Sequence, residues 1–263
     1  RRNSPIEDWI WLDRFDGDLK IQINRNAYLG SLLYWHGGHA QEESAYFKLF
    51  LKPGMVVVDA GANFGELTLI AAKQVGPTGH VYSFEPVPSI FQVLNRNIVA
   101  NGFNHVHAQN TGLHEAPGKL QIYEANGVDA AGENNEGLGT FFPTPLRSKP
   151  AGEVPLETLD EFVKTHEITR LDLLKVDVEG SEWCLFQGAR NTLNRFKPCL
   201  VFELNRETCV ASGHSPEALL QMLESFGYQF FKLDGSTPLP DPLPDMINVL
   251  GKPRKASTPP LGA

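Results

Sequence analysis

The pattern of apolar residues changes near residue 55. Beyond it, short continuous apolar runs such as residues 55–58 and 81–84 alternate with longer segments, such as residues 66–75 and 89–101, where apolar residues recur every three or four positions. The short runs are typical of strands covered on both faces, and the longer segments are typical of amphipathic helices. This alternation predicts an α/β fold with parallel crossover units in an open, doubly wound sheet.

The same pattern predicts the remaining elements of this region. Further strands are expected at residues 105–108, 120–124, 171–176, 199–203, 228–233 and 246–250. Further helices are expected at residues 156–166, 182–193 and 216–226, the last with Ser215 as its N-cap. Residues 125–155 are rich in Gly, Asn and Pro, and a loop of this length inside a compact domain is usually functional. We therefore expect substrate recognition in this loop.

We divide the chain into an N-terminal extension (1–51), a main domain (52–251) and a disordered tail (252–263). The extension is predicted to contain a strand (19–23), a loop rich in glycine, histidine and aromatic residues (34–43, YWHGGHAQEE) and a helix (42–51). We interpret the extension as a lid over the main domain.

Polar residues stand where the predicted strands end. Ligands of doubly wound sheets bind beyond the carboxyl ends of the strands. That rule selects one amide and four acids, namely Asn110, Asp59, Glu85, Asp177 and Glu203. Carboxylates at several strand ends favour a ligand with hydroxyl and amino groups over a triphosphate.

The turn after the first strand of the main domain can be compared with three kinds of nucleotide-binding site. It reads DAGANFGELT from residue 59, and no Lys-Ser/Thr pair follows Gly65, which argues against a P-loop. The close glycine pair of a dinucleotide site is also absent, and Asp59 would repel a pyrophosphate. S-adenosylmethionine carries a sulfonium cation and no phosphate, so a carboxylate here is favourable.

Each polar or glycine position of this turn has a role in that interpretation. Gly61 lets the backbone approach the cofactor, Asn63 offers an amide, and Gly65 allows the next helix to start close to the strand. Glu85 ends the following strand in VYSFEP, where a carboxylate can accept both ribose hydroxyls. We expect Asp59 to attract the cationic methionyl part.

Four segments, in this order along the chain, resemble the FkbM-type methyltransferases. They are residues 52–69 (KPGMVVVDAGANFGELTL), 81–88 (VYSFEPVP), 171–189 (LDLLKVDVEGSEWCLFQGA) and 197–204 (KPCLVFEL). The resemblance implies a class I methyltransferase (Rossmann-like) fold with a mostly parallel seven-stranded sheet and S-adenosylmethionine as cofactor. It also implies methylation of hydroxyl groups on sugars or on natural-product scaffolds.

The resemblance assigns roles to individual residues. Asp59, Gly61, Asn63 and Gly65 match the family's first cofactor motif, and Glu85 matches its ribose-binding acid. The DVEG block beside the transferred methyl group is matched by Asp177, Glu179 and Gly180. Family members often have Ala-Leu-Gly or Ala-Leu-Ser where this chain has Asn110-Thr111-Gly112-Leu113, so the adenine contact implied for Asn110 departs from the family pattern.

Methylation of a hydroxyl group requires alignment and benefits from a general base. We expect Asp177 to be the acid nearest the reacting centre, with Glu179 orienting it or making a second contact. Lys175 alternates with Asp177 on one strand face and is expected to pair with it. For Glu182 we favour capping of the next helix. No second acidic pair matches a metal-assisted layout, so we expect catalysis without a metal.

His36 and His39 are further candidates for the base, because histidines in a glycine-flanked lid can reach a substrate and titrate near neutral pH. The simpler interpretation is that these side chains are exposed or bonded within the loop. Glu43 is expected to lie near the entry side of the cofactor site.

Charge and composition restrict the partners. The 263 residues include 31 acids and 23 bases, a net charge of −8, which disfavours nucleic acid and anionic membranes. Three cysteines without CxxC or zinc-type spacing predict neither a disulfide framework nor a structural metal. With no apolar run of membrane-spanning length and no signal peptide, we expect a cytoplasmic protein. Trp9, Trp11 and Phe15 either cover the core or form a homodimer contact.

Three alternatives to O-methylation remain open. N-methylation of an amino sugar or a peptide requires the same cofactor. A catalytically silent cofactor-binding scaffold would tolerate loss of Asp59, Glu85 and Asp177, all of which are present. A dehydrogenase is disfavoured by the first turn.

Overall fold

The computed structural model describes residues 9–124, 139–143 and 148–254. Its strands are β1 (Trp9–Phe15), β2 (Leu19–Asn24), β3 (Val56–Ala60), β4 (His80–Phe84), β5 (Val106–Gln109), β6 (Gly112–Leu113), β7 (Gly118–Glu124), β8 (Lys149–Glu157), β9 (Leu173–Val176), β10 (Cys199–Asn205), β11 (Tyr228–Phe231) and β12 (Met246–Pro253). Its α-helices are α1 (Tyr28–His36), α2 (Gln41–Phe50), α3 (Glu66–Val75), α4 (Pro88–Ala100), α5 (Leu159–Thr165), α6 (Glu182–Gln187), α7 (Arg190–Phe196), α8 (Arg206–Ala211) and α9 (Pro216–Ser225).

The main sheet has seven strands in the order β11-β12-β10-β9-β3-β4-β5. Only β12 runs antiparallel to its neighbours β10 and β11. The sheet separates two cores, because successive β3 side chains alternate between them: Val57 packs with α3 and α4, whereas Val56 and Val58 pack with α5, α6, α7 and α9. The prediction of a doubly wound, mostly parallel sheet is confirmed.

The N-terminal segment packs on the same face as α3 and α4. β1 and β2 form an antiparallel hairpin, and Ile21, Ile23, Leu33 and Phe47 are buried in the first core. The buried amide of Asn97 on α4 holds this segment in place. It donates to Phe64 O at 2.8 Å and Gln22 O at 3.1 Å, and its Oδ1 accepts from Gln22 N at 2.6 Å.

Two segments predicted as loops are regular structure. Residues 34–36 complete α1, which ends where Gly37 takes the left-handed conformation and donates its N–H to Leu33 O, so only residues 37–40 separate the two helices. Lys149–Glu157 forms β8, which pairs with β7 in a second sheet of order β6-β8-β7. The pattern missed β8 because its pairing partner is distant in sequence, a contact that local periodicity does not encode.

Two predicted helices differ at their ends. The helix predicted at 156–166 begins at Leu159, since Thr158 is its N-cap and accepts a hydrogen bond from Glu161 N. The helix predicted at 182–193 is divided into α6 and α7 around Gly188. A side chain there would meet His114 O at 2.0 Å, so the backbone of residue 114 lies directly against this position. Ser215 caps α9 as predicted, accepting from Ala218 N.

The outer surface has features that bear on partners. Phe15 is buried in the core, whereas Trp9 and Trp11 remain 38% and 43% exposed, and a homodimer contact through them stays a prediction.

Across the ranges that the structure describes, none of the helices has both the length and the apolar character to cross a bilayer. The predicted tail (252–263) lies outside the described residues beyond Arg254, and so does most of the predicted recognition loop.

We expect Asn97→Ala to lower the free energy of unfolding by about 2–3 kcal/mol, because it leaves buried backbone groups of Gln22 and Phe64 unpaired. Asn101→Ala is the matched control. Asn101 makes the same pair of bonds to Lys20, but at a solvent-exposed position where water can replace them, so the loss should stay below about 1 kcal/mol. Urea unfolding measures both; equal losses would contradict a tether role for Asn97.

Candidate active site

A cavity of about 560 Å³ opens at the carboxyl ends of β3, β4, β9 and β10. The N-terminal segment and the second sheet complete its walls. Residues from distant parts of the chain therefore face one space, including Tyr28, His39, Glu43, Gly61, Asn63, Glu66, Glu85, Gly139, Phe141, Lys175, Asp177, Glu179, Glu203 and Met246.

The turn after β3 is shaped by two glycines with positive φ. Gly61 has φ +75°, and a Cβ on it would lie 1.8 Å from Asp177 O, so only glycine lets the two loops touch. Gly65, with φ +99°, begins α3, and a Cβ there would meet Leu94 Cδ1 at 2.7 Å. Asn63, also on the cavity wall, has φ +51°. The turn is thus bent tightly enough to leave the cavity open above it.

Glu85 lies at the centre of the cavity floor. Its carboxylate is buried and accepts hydrogen bonds from Asn63 N and Val87 N, each at 2.9 Å. Burial raises the pKa of Glu85 to about 7, against the lowering effect of these two bonds. The two bonds therefore fix the orientation of the carboxylate on the cavity wall.

Asn110 does not line the cavity, contrary to expectation. Its side-chain amide donates to Glu85 O at 2.9 Å and Pro86 O at 3.0 Å. These bonds hold the Glu85-Pro86 backbone in place. Asn110 therefore acts on the cavity through Glu85.

Asp59 is also placed differently from expectation. It belongs to β3, is fully buried, and accepts a 2.6 Å hydrogen bond from the Thr68 hydroxyl. Across the β3–β9 pairing it is opposite Lys175, whose Nζ lies 3.2 Å from its Oδ1. The strand pattern had placed Asp59 at the mouth; because the strand extends to Ala60, the side chain lies beneath the cavity floor.

Lys175 links Asp59 to the cavity. Its Nζ donates to Gly61 O at 2.6 Å and lies 3.7 Å from Asp177 Oδ2. Burial disfavours the ammonium, but attraction to Asp59 and Asp177 outweighs it and raises the pKa of Lys175 above its usual value. The predicted Lys175–Asp177 pair is present, and it is one part of a chain of charges running from Asp59 to the cavity.

The two acids of the DVEG block and the nearby Glu182 have separate environments. Asp177 is 40% exposed and faces the cavity, as does Glu179, which has φ +52° and whose backbone carbonyl accepts from the Thr140 hydroxyl at 2.7 Å. Glu182 turns away, and its carboxylate accepts from Gly180 N at 3.1 Å and Val178 N at 3.3 Å. These two bonds stabilise the loop before α6 rather than the helix itself, which differs from the predicted cap.

The structure separates the two candidate histidines. Both side chains are exposed to solvent, but His39 lines the cavity, whereas His36 lies at the end of α1 and does not. Desolvation by the cavity wall lowers the pKa of His39, and the opposing charge effect comes from Asp177, so His39 and Asp177 share one electrostatic environment. Glu66 fixes this segment, since its carboxylate accepts from His39 N at 3.0 Å and Ala40 N at 3.2 Å.

Acids dominate the cavity wall. Burial raises the pKa of Glu66 to about 7 and that of Glu203 to about 8, and the nearby Asp177 and Glu179 contribute to the latter. Burial also raises the pKa of Glu43, again with a contribution from Asp177. The repulsion among these carboxyl groups and the cost of burying their charge both decrease when a cation or a set of hydroxyl donors enters the cavity.

A family model described as "Methyltransferase FkbM domain" matches residues 59–230 of this chain. The chain belongs to the FkbM methyltransferase family. This confirms the resemblance carried by the DAGANFG, FEP and KVDVEG segments, and it makes S-adenosylmethionine the cofactor.

Two curated relatives agree with this assignment. "Methyltransferase 1" of Beauveria bassiana is 26% identical over 148 residues, which cover 50% of this chain and 57% of the relative. "Methyltransferase sdnD" of Sordaria araneosa is 29% identical over 155 residues, covering 50% of this chain and 59% of the relative. The matches thus extend over less than two thirds of either relative's length.

A solved structure shows the same fold. It is a protein provisionally described as an rRNA methylase from Clostridium thermocellum, with a TM-score of 0.50 and 14% identity. The match covers 81% of this chain and 93% of that one. At this identity the likeness concerns the Rossmann-like fold alone.

The residues present fit S-adenosylmethionine. The cofactor is a cation with ribose hydroxyls and no phosphate, and the floor offers the Glu85 carboxylate together with the bare backbone of Gly61. Asp177 and Glu179 add negative charge around the cavity, whereas the Lys175 ammonium is engaged with Asp59 and backbone carbonyls. A phosphate ligand would face net repulsion here.

Sequence reasoning missed two contributions to this site. Glu66 was interpreted only as the first residue of a helix, because its partners lie in a segment 27 residues earlier. The Asp59–Lys175 pair depends on the adjacency of β3 and β9, which are far apart along the chain. The available signal was a lysine in an otherwise apolar strand, since a buried lysine requires a nearby acid.

We expect Glu85→Gln to weaken S-adenosylmethionine binding about 10- to 100-fold, the effect of losing hydrogen bonds to a charged acceptor. Isothermal calorimetry with the cofactor and with its demethylated product measures this. Glu42→Gln, at an exposed acid of the cavity mouth, is the matched control and should change Kd by less than about threefold. Equal Kd values for wild type and Glu85→Gln would contradict the ribose-binding role.

The raised pKa of Glu203 predicts a pH-dependent stability. Between the pKa of an unfolded glutamate, near 4.3, and about 8, the folded protein retains a proton that the unfolded chain has lost. Rising pH therefore favours unfolding across this window. Glu203→Gln should match wild type near pH 4.5 and exceed its free energy of unfolding by about 1–2 kcal/mol at pH 8. Glu224→Gln, at an exposed position on α9, should show no such divergence.

Proposed function

We propose that this protein transfers the methyl group of S-adenosylmethionine to a hydroxyl group on a sugar, a glycan or a small natural product. The observation that carries the proposal is the position of His39, a histidine with a lowered pKa that lines the cavity within the electrostatic reach of Asp177. A hydroxyl nucleophile must lose a proton, and a neutral imidazole can accept it.

When bound, S-adenosylmethionine supplies a methyl group activated by a positively charged sulfur. The contribution of the protein is then mainly alignment and electrostatic complementarity. Glu85 would hold the ribose hydroxyls, and Gly61 lets the turn after β3 pack directly against the loop that carries Asp177. Asp59 acts indirectly, because it keeps Lys175 charged beside Gly61 O and Asp177.

Proton removal is assigned to His39, with Asp177 as its electrostatic partner. The two Glu66 hydrogen bonds hold the backbone of residues 39 and 40, which limits the positions that the imidazole can take. The half-exposed Asp177 carboxylate is anchored by Lys175 at 3.7 Å, and it can accept a hydrogen bond from the acceptor hydroxyl. Its negative charge favours the imidazolium that forms when the proton arrives. Glu179 provides a second carboxylate on the same wall.

The cavity mouth suits a polyhydroxylated acceptor. Glu43 and Glu203 offer carboxylate acceptors for hydroxyl groups, while Tyr28 and Phe141 offer aromatic surface against which a sugar ring or a natural-product scaffold can pack. Gly139 and Phe141 belong to the predicted recognition segment, which supports its assignment to the acceptor side. Negative charge at the mouth and over the whole chain opposes a nucleic-acid acceptor.

N-methylation is the second candidate. The observation in its favour is the pair of carboxylates, Asp177 and Glu179, which would also attract the ammonium form of an amino sugar or peptide. His39 could then deprotonate the ammonium group. Mass spectrometry of the methylated product distinguishes the two, since methyl ethers and methylamines fragment differently.

We expect His39→Gln to lower turnover about 10²- to 10⁴-fold and to abolish the rise of rate with pH near neutrality, because the proton acceptor is removed. Asp177→Asn should lower turnover comparably while keeping a pH-dependent rate. Methyl transfer from labelled cofactor to a panel of hydroxylated acceptors measures both, and calorimetry checks that cofactor binding persists.

His36→Gln is the control, since His36 lies outside the cavity and should retain wild-type turnover. Wild-type turnover and pH profile in His39→Gln would refute the assignment of the base. Absence of methyl transfer by wild type across hydroxyl and amine acceptors, with tight cofactor binding, would favour the silent-scaffold alternative.

A further inference from the structure

A cluster of metal-binding side chains lies outside the cavity. His114, Glu115 and Cys184 each offer one ligand atom, and these atoms all lie within 4.8 Å of one another. His114 and Glu115 follow β6, and Cys184 is on α6. The set combines nitrogen, oxygen and sulfur donors, the three types that Zn²⁺ accepts in proteins. In the part of the chain that the structure describes, no other group of His, Cys, Asp and Glu meets this criterion.

The imidazole of His114 is the unusual member of the cluster. The residue is 9% exposed, and its Nε2 is buried without a hydrogen-bond partner among the described residues. Buried polar atoms of this kind are rare, because an unpaired group costs about 1–3 kcal/mol. A bound cation is one means of satisfying an imidazole nitrogen. The edge of the His114 ring packs against Phe141, at a centroid distance of 6.2 Å and an interplanar angle of 87°, which restricts its rotation.

The backbone positions of the cluster are rigidly set. A side chain at Gly188 would meet His114 O at 2.0 Å, so the end of α6 lies directly against residue 114. On the other side, His114 N donates to Glu157 O at 2.9 Å, which holds residue 114 to β8. The ligands therefore come from two fixed elements and one exposed, adjustable carboxylate, Glu115.

We propose that His114, Glu115 and Cys184 form a divalent-metal site suited to Zn²⁺, with the fourth position open to water. Tetrahedral Zn²⁺ with bonds of about 2.0–2.3 Å requires its ligand atoms to lie roughly 3.3–3.8 Å apart. Separations within 4.8 Å are close enough for small rotations of Glu115 and Cys184 to complete the geometry. The sequence pattern did not indicate this site, because its third ligand is contributed from a separate element.

Metal binding would change the protonation of the cluster. Burial lowers the pKa of His114, which keeps the imidazole neutral, and burial raises the pKa of Cys184 to about 11, so the free thiol is protonated at neutral pH. On binding, the sulfur–hydrogen bond breaks, a sulfur–metal bond forms, and one proton is released to solvent. Affinity should therefore increase with pH.

The consequence for the fold is a cross-link between β6 and α6. α6 follows the loop that carries Asp177 and Glu179, and Glu182 at its first turn binds the amides of that loop. Gly112 and Leu113 of β6 also line the cavity. A metal in the cluster would thus stabilise two parts of the cavity wall without itself entering the cavity.

The test is titration of the full chain, purified with chelator, with Zn²⁺ alone and with Co²⁺ as a spectroscopic substitute. We expect one metal ion per chain, an increase in Tm with Zn²⁺, and a thiolate-to-cobalt charge-transfer band with Co²⁺. Cys184→Ser should remove the charge-transfer band, and His114→Ala should reduce affinity at least tenfold. Glu115→Gln should also weaken metal binding. Because Glu115 is exposed, we expect this variant to fold normally, so it controls for misfolding of the variants at the buried positions.

Matched controls of the same residue types are available elsewhere in the chain. Cys199→Ser replaces another half-buried cysteine, and His214→Ala removes the imidazole that stacks on Trp183 of α6 at 4.0 Å. Both should retain the metal and the charge-transfer band. No binding by wild type, or equal binding by wild type, Cys184→Ser and Glu115→Gln, would overturn the proposal. Cofactor calorimetry is an independent readout, so loss of the metal site and failure of the methyltransferase proposal are distinguishable.

Discussion

The buried ion pair between Asp59 and Lys175 is the interaction on which the site depends. It joins the two central strands, β3 and β9, and the same ammonium binds Gly61 O and approaches Asp177. A buried pair is expensive to form, because both charges leave water, and it is more expensive still to break. We therefore interpret the pair as a positioning interaction. The ammonium group of Lys175 fixes the turn after β3 and the DVEG loop relative to each other.

Around this pair the cavity holds excess negative charge on a rigid frame. Glu66 and Glu85 are tied down by backbone amides, so their carboxylates do not need to reorganise when a ligand arrives. Asp177, Glu179 and Glu203 share the remaining space. The frame is composed of strand ends and helix starts, whereas the surfaces that face an acceptor come from the N-terminal segment and the second sheet. Cofactor binding is thus assigned to the frame, whereas the proposed base His39 lies among the surfaces that face the acceptor.

The sequence predicted the features that depend on local pattern. Strand–helix alternation indicated the parallel sheet, and the strand-end rule found Glu85 and Asp177 on the cavity wall. The sequence-based prediction was less accurate where contacting residues are far apart along the chain. β8 and the backbone contact at Gly188 depend on partners far away in sequence, and the burial of Asp59 depends on one additional residue of β3. Asn110 and His36 show that a suitable residue type near a strand end or in a loop does not by itself place the side chain on the cavity wall.

The close approach of Gly61 to Asp177 O has an evolutionary consequence. Because no side chain fits between the two loops, neither can change its path unless the other moves with it. We therefore expect the β3 turn and the DVEG loop to change only together in evolution. A relative with a different acceptor is expected to differ from this chain at other positions. Tyr28, Leu29, Gly139 and Phe141 border the same cavity without this constraint, so new acceptor specificities can arise there, or be engineered there, without disturbing the cofactor or the proposed base.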